Sequence, residues 1–182
     1  MHKLLEKLKS DHLNMEKILQ LLSLQLDHFY AGRESDFDLK IELLEYLEAY
    51  ASQEHHPLED QIFKAAEVRL GKKHELFERL RSQHHALDQL TRKFRYSLEN
   101  ILHDGVMLRD ELETQGREFI ALQQQHLKLE EQEAFPLLDE VMTDKDWERT
   151  VSHIRPHDDP VFEAPDRVRF QILVDYLEQS ET

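Results

Sequence analysis

Apolar residues recur at intervals of three and four along most of this chain. Leu4, Leu8, His12, Met15, Leu19, Leu22, Leu26 and Phe29 form the first such stripe, which predicts an amphipathic helix over 2–30. Ala31-Gly32-Arg33-Glu34-Ser35-Asp36 interrupts it. Gly32 suits the left-handed residue that ends a helix, and Ser35 or Asp36 suits the N-cap of the next. A second stripe runs through Phe37, Ile41, Leu44, Leu47, Ala51, His55, Leu58, Ile62 and Ala66. Pro57 falls inside it, and a proline there removes a backbone donor and crowds the preceding turn, so a kink or widened turn is expected. After Leu70-Gly71-Lys72-Lys73 comes a third stripe, Phe77, Leu80, His84, Leu87, Thr91, Phe94, Leu98 and Ile101, which Asp104-Gly105 is expected to stop. A fourth carries Leu112, Phe119, Leu122, His126, Leu129, Glu133 and Leu137. Four long helices with short connections predict an all-α, up-down-up-down four-helix bundle over residues 1–142.

Beyond residue 143 the periodicity breaks. Asp144-Lys145-Asp146-Trp147 reads as the start of a short helix. Pro156, Pro160 and Pro165 make an irregular crossing, and Val168, Ile172, Leu173, Tyr176 and Leu177 predict a final amphipathic helix. Residues 143–182 are expected to form a C-terminal helical extension packed on the bundle within one domain, or to support a homodimer contact.

Composition narrows the chemistry by exclusion. There is no cysteine, so disulfides, thiolate metal sites, iron–sulfur ligation and a cysteine nucleophile are ruled out, and a reducing cytoplasm is the expected location. The formal charge of −15 is a poor match for nucleic acid or an anionic membrane surface. No apolar run approaches the roughly 18 residues that span a bilayer. Only four glycines and five prolines interrupt a chain rich in helix formers. No glycine-rich phosphate loop, nucleophile elbow or dinucleotide fingerprint is present.

Twelve histidines are the unusual component. Seven of them precede an acid by four residues, where composition alone supplies roughly two or three such pairs. The spacing by itself is therefore weak. Its placement is more informative: His12, His55, His84 and His126 fall one to each stripe, on or beside the apolar face. Ser10-Asp11-His12 recurs as Ser82-Gln83-His84, and His55 with Glu59 recurs as His126 with Glu130, 72 and 71 residues later. Each histidine–glutamate pair is followed by a phenylalanine, Phe63 and Phe135. The chain reads as two helical hairpins of one design, each bringing one histidine from its first helix and a His–Glu pair from its second. Unpaired, these imidazoles and carboxylates would carry desolvation costs comparable to a whole domain's stability. A shared metal centre removes that conflict, and imidazole with carboxylate suits iron, copper, zinc or nickel.

The order His, His-xxx-Glu, His, His-xxx-Glu on a four-helix bundle resembles the hemerythrin-like, or HHE cation-binding, family. "HHPLEDQIF" and "EEQEAFP" are similar to its second and fourth helices, and Asp159-Pro160-Val161-Phe162 resembles a segment seen beyond the bundle in some members. The resemblance implies His12, His55, His84 and His126 as terminal ligands of two iron ions, with Glu59 and Glu130 bridging them and an oxo or hydroxo group completing the bridge. Oxygen-carrying members use a fifth histidine one turn beyond the third-helix ligand, where this chain has Asp88. Their bridging aspartate corresponds here to Glu131. The chain matches instead the four-histidine, two-glutamate version, which includes di-iron proteins that repair iron–sulfur clusters; those carry a cysteine-bearing N-terminal region, and no cysteine occurs here.

Four imidazoles, two bridging carboxylates and one solvent-derived bridge leave roughly two positions open on a pair of six-coordinate ions. Dioxygen, nitric oxide or peroxide would fit them. A histidine-rich shell is less anionic than a carboxylate-rich one, which favours binding, sensing or mild redox chemistry over substrate oxidation. The leading expectation is thus a di-iron protein that binds or senses a small ligand, or responds to oxidative or nitrosative stress. Two rivals are an enzyme reducing nitric oxide or peroxide or delivering iron, and a metal-free helical interaction module. His56 and His85, next to ligands, are expected to point elsewhere. Glu16 or Asp88 is expected to hydrogen-bond a ligand imidazole, and Tyr30, Tyr46 and Tyr50 to serve packing. His153 and His157 stand one turn apart in the tail, as an adventitious surface pair.

Overall fold

The computed structural model of the chain describes residues 1–103 and 105–180. In order, the elements are α1 (Lys3–Tyr30), α2 (Phe37–Tyr46), a π-helical segment (Leu47–His55), α3 (His56–Leu70), α4 (Glu75–Leu102), α5 (Arg109–Leu129), a second π-helical segment (Glu130–Ala134), α6 (Phe135–Val141), α7 (Asp144–Val151) and α8 (Gln171–Ser180). No strand occurs among the described residues. The backbone stays in helical dihedrals from α2 through α3 and from α5 through α6. The chain therefore presents four long rods, as the four stripes imply. α1 packs against α5, α2 against α4, and α4 against α5.

Local chemistry accounts for most boundaries. Gly32 takes a φ of 69° after α1, and Arg33 N–H reaches back to the His28 carbonyl at 2.9 Å, closing the last turn. Asp36, rather than Ser35, caps α2, accepting from Leu39 N–H at 2.9 Å. Gly71 ends α3 with a φ of 68°. α4 ends at Leu102; the stop expected at Asp104 lies outside the described residues. Thr143 and Asp146 make a reciprocal capping box at the start of α7.

The widened turn expected at Pro57 is present, and a second one precedes Pro136. In each case the residue before the proline donates five residues back, His56 to the Ala51 carbonyl and Phe135 to the Glu130 carbonyl. A π turn takes in one extra residue, which shifts the inward face by one position. That corrects the fourth stripe. Glu133 is exposed and Leu137 half-buried, whereas Ala134 and Leu138 are fully buried.

The extension folds back on the bundle. Val161, Phe170, Leu173 and Val174 join the apolar cluster formed by α1, α2, α4 and α5. Asp159, fully buried, is satisfied on every side: it accepts from Val161 and Phe162 N–H, from Tyr46 Oη at 2.7 Å and from Asn14 Nδ2 at 3.2 Å. The first residue of the Asp159-Pro160-Val161-Phe162 segment thus anchors the tail to α1 and α2. The last helix starts later than its apolar pattern suggests, at Gln171, and Val168 is left exposed before it.

Dry packing comes in two separate parts. One cluster holds Met15 to Leu26 of α1 together with α2, Phe94, Leu98 and Phe119. The other holds Leu4, Leu5 and Leu8 with Leu58 to Ala66, Phe77, Leu80, Phe135 and Leu138. Between them the histidines interrupt every rod: His12 lies between Leu8 and Met15, and His55 between Ala51 and Leu58. The fold has a buried polar belt at its waist.

Candidate metal centre

That belt contains His12, His55, His56, Glu59, His84, His126 and Glu130, all buried. His12 Nε2 and His55 Nε2 face one another at 3.1 Å. Glu59 Oε1 lies 3.2 Å from His55 Nε2 and 3.6 Å from His12 Nε2, while its Oε2 lies 3.5 Å from His84 Nε2. Glu130 Oε1 stands 3.0 Å from His84 Nε2, and its Oε2 3.3 and 3.4 Å from His126 and His12 Nε2. Two donors each about 2.1 Å from one ion are separated by about 3.0–3.4 Å at octahedral or tetrahedral angles. The spacings here have that scale.

Neither oxygen of Glu59, nor Glu130 Oε2, nor His126 Nε2 has an aligned hydrogen bond among the described residues. Each such buried group costs about 1–3 kcal/mol when left unmet. Groups held this close, dry and unsatisfied fit a positive ion better than they fit one another. His12, His55 and Glu59 can offer three donor atoms to one position, and His56, Glu59, His84 and His126 cluster around another, with Glu59 common to both.

The rear of each imidazole follows a rule. His12 Nδ1 is 3.1 Å from Glu131, His55 Nδ1 is 3.2 Å from Asp11, His84 Nδ1 is 2.9 Å from Asp60, and His126 Nδ1 is 3.0 Å from Gln83. The residue before the first-helix histidine of a hairpin (Asp11, Gln83) holds the second-helix histidine of the same hairpin. The residue after the glutamate (Asp60, Glu131) holds the first-helix histidine of the other. The 71–72 residue repeat thus extends to the partners behind the ring. Such partners fix which ring nitrogen faces inward.

Electrostatics divides the imidazoles. Burial opposes charge on His12, yet its hydrogen bond to Glu131 raises its pKa. Burial is likewise outweighed at His55, by the Glu59 charge and Asp11, and at His84, by Asp60 and Glu130, so both are raised to about 10. His126, with an amide behind it, is pushed down by burial and by His84 to about 3. His56 is depressed by burial and the charges of His84 and His126. Glu59 is held well below the carboxylate range by His55 and its neighbours despite burial, and Glu130 is raised by burial and by the Glu59 charge.

The six residues His12, His55, Glu59, His84, His126 and Glu130 are brought together. Several neighbours fall elsewhere. His85 is exposed beside Gln89, and Asp88 pairs outward with Arg92. Glu16 is exposed; Asp11, Asp60, Gln83 and Glu131 take the place expected for Glu16 or Asp88. They sit next to a centre residue in the chain but reach another helix, which the four-residue spacing does not reveal. Tyr46 and Tyr50 do more than pack: Tyr46 bonds Asp159, and Tyr50 donates to the His157 carbonyl at 3.3 Å while accepting from Lys7. Tyr30 donates to the Leu112 carbonyl at 3.0 Å. His157 is exposed and paired with Glu54, and His153 is exposed as well.

His56 is the main correction. It does not point away: it is buried, with its ring stacked on His84 at 4.3 Å and edge-on to His126 at 5.3 Å. Residues 56 and 59 are three apart and share a helix face, and the π turn ending at His55 places both histidines inside.

No described helix is long and apolar enough to cross a membrane. Neither the curated proteins nor the solved structures contain a match to this chain. A family model does match over residues 3–138, the hemerythrin HHE cation-binding domain. That interval holds every residue of the buried belt and all of the four rods but the last three residues of α6. The chain belongs to the hemerythrin HHE cation-binding domain family.

Proposed function

We propose that the chain is a cytoplasmic non-haem di-iron protein, an up-down-up-down bundle that binds or senses a small ligand such as dioxygen, nitric oxide or peroxide in a stress response. The observation that carries this reading is the aim of Glu59: one oxygen faces His12 and His55 and the other faces His84. A carboxylate shared in that way suits two ions rather than one. Glu130 adds a second carboxylate from the opposite rod, with Oε1 toward His84 and Oε2 toward both His12 and His126. Asp11, Asp60, Gln83 and Glu131 hold the four rings in register from behind. Iron bound there would supply Lewis acidity and reversible electron transfer to a small exogenous ligand. The apolar clusters on both sides keep bulk water away from the belt.

Elemental analysis tests it. Protein expressed with adequate iron and without a histidine tag should hold about two irons per chain. An oxo-bridged ferric pair should add near-ultraviolet charge-transfer bands. One zinc and no iron under those conditions would overturn the di-iron reading. The reduced protein should change its visible spectrum with nitric oxide or dioxygen but not turn over rapidly with reductant alone. Rapid multi-turnover consumption of nitric oxide or peroxide with a simple electron donor would replace the binding reading with the enzymatic one.

A further inference from the structure

Of the five imidazoles in the belt, His56 alone has neither ring nitrogen engaged among the described residues. Its ring is parallel to that of His84 within 4°, at 4.3 Å between centroids. An imidazole binds an ion through a lone pair in the plane of its ring. Two face-to-face rings direct those lone pairs into separate parallel planes, so an ion in the His84 plane is out of line with either lone pair of His56. A nitrogen of His56 nevertheless comes within 4.8 Å of donor atoms of Glu59, His84 and His126. The space that nitrogen addresses lies in the His56 plane, alongside the plane of an ion held by His84, where a further ligand on that ion would stand.

The repeat isolates the same residue. Counting 71 positions on from His56 reaches Leu127, buried and apolar, within the hairpin that otherwise copies the ligands and the residues behind them. Packing alone at this place is thus met by leucine. An imidazole with two unmet nitrogens costs stability there unless something accepts or donates a hydrogen bond.

Resting on the di-iron reading, we infer that His56 is no metal ligand but the hydrogen-bonding wall of the exogenous-ligand position on the ion held by His84 and His126, selecting small anionic or strongly polarised ligands. The two ions are then unequal. The His84–His126 side offers an incoming ligand a hydrogen-bond donor, and the His12–His55 side has no such imidazole.

The experiment compares iron-loaded wild type with His56→Leu, which installs the other hairpin's residue, and with His56→Phe, which keeps the stacked ring without its nitrogens. His56→Gln restores a donor. Azide is the probe, followed by its optical band on the ferric protein. All variants should keep the wild-type iron content. His56→Leu and His56→Phe should bind azide about tenfold to a hundredfold more weakly, the loss of one hydrogen bond to a charged group, and His56→Gln should recover part of that. Metal-free His56→Leu should melt above metal-free wild type, because an orphaned polar ring has been removed. Loss of one iron from His56→Leu and His56→Phe would make His56 a ligand and overturn the inference. Unchanged azide affinity at full iron content would also overturn it and leave the di-iron reading standing. Iron-free wild type would remove both, and that result is seen before any azide is added.

Discussion

At the scale of single residues, the centre separates the roles of chemically similar side chains. Glu59→Gln and Glu130→Gln each keep the volume and remove the charge of a carboxylate whose two oxygens face different imidazoles. Either should sharply lower iron content while circular dichroism shows the helices retained. Asp60→Asn should weaken iron binding about 10- to 100-fold, the range for losing the partner behind a ligating imidazole, whereas Asp88→Asn, on the outward side with Arg92, should leave it alone. Equal effects from Asp60→Asn and Asp88→Asn in a competitive chelator titration would remove the outer partners from the account. Of the six candidate ligands, the four histidines were legible because each sits on or beside an apolar stripe, and Glu59 and Glu130 because each follows its histidine by four residues in a repeat of 71–72 positions. His56 was not, since the extra residue of a π turn moves a neighbouring side chain onto the inner face, and that is a backbone event without its own residue type. Asp11, Asp60, Gln83 and Glu131 stood within the repeated words, but their targets lie on other helices and need the packed structure to be named.

Among elements, the apolar periodicity locates all four rods, and it fails where the period changes. Pro57 announced its widened turn; Pro136 does the same work, and reading through it at the ordinary period placed Glu133 inside instead of Ala134. The rods approach closely at Gly116. A Cβ on Gly116 of α5 would come within 2.9 Å of Leu26 Cδ1, Phe94 Cζ and Tyr30 Oη, on α1 and α4. Gly116→Ala should therefore destabilise the protein by about 1–3 kcal/mol through overpacking, despite alanine's better helix propensity. Thermal melts of the metal-free protein measure it, and an unchanged or higher Tm would show that the three side chains yield freely.

For the whole molecule, charge in the belt couples stability to pH and to metal. In the metal-free protein His55 and His84 titrate near 10, against about 6.5 in an unfolded chain. Between those values the folded state binds more protons than the unfolded one, so this part of the stability falls as pH rises. Their contribution is complete below about 6.5 and gone above about 10. Melting of the metal-free protein should accordingly decline from pH 7 to pH 10. Metal ligation requires unprotonated imidazoles, so iron uptake at pH 7 should release protons and tighten as pH increases. Iron should also raise Tm by selecting the folded state. A proton count near zero on metal addition at pH 7, or a Tm indifferent to chelation, would show that these histidines do not act as one buried set. The extension belongs to the same system: Lys7 bonds both Asp11, behind His55, and Glu163 of the tail, at 2.6 and 2.8 Å.

The division of the dry interior into two clusters has a consequence for how the chain breathes. Each end of the bundle can collapse by itself, with its own leucines and phenylalanines, while the middle, with its unmet carboxylate and imidazole atoms, gains less until a cation arrives. Without that cation the molecule should behave as two stiff ends joined by a soft seam. Amide hydrogens around His12, His55, His84 and His126 should exchange faster than those near Leu22 or Ile62, reversing the usual order in which a helix frays from its tips. Adding metal should then slow exchange mainly at the centre of every rod. A seam of that kind would let an ion into a closed bundle, and the ion, once bound, would hold it shut.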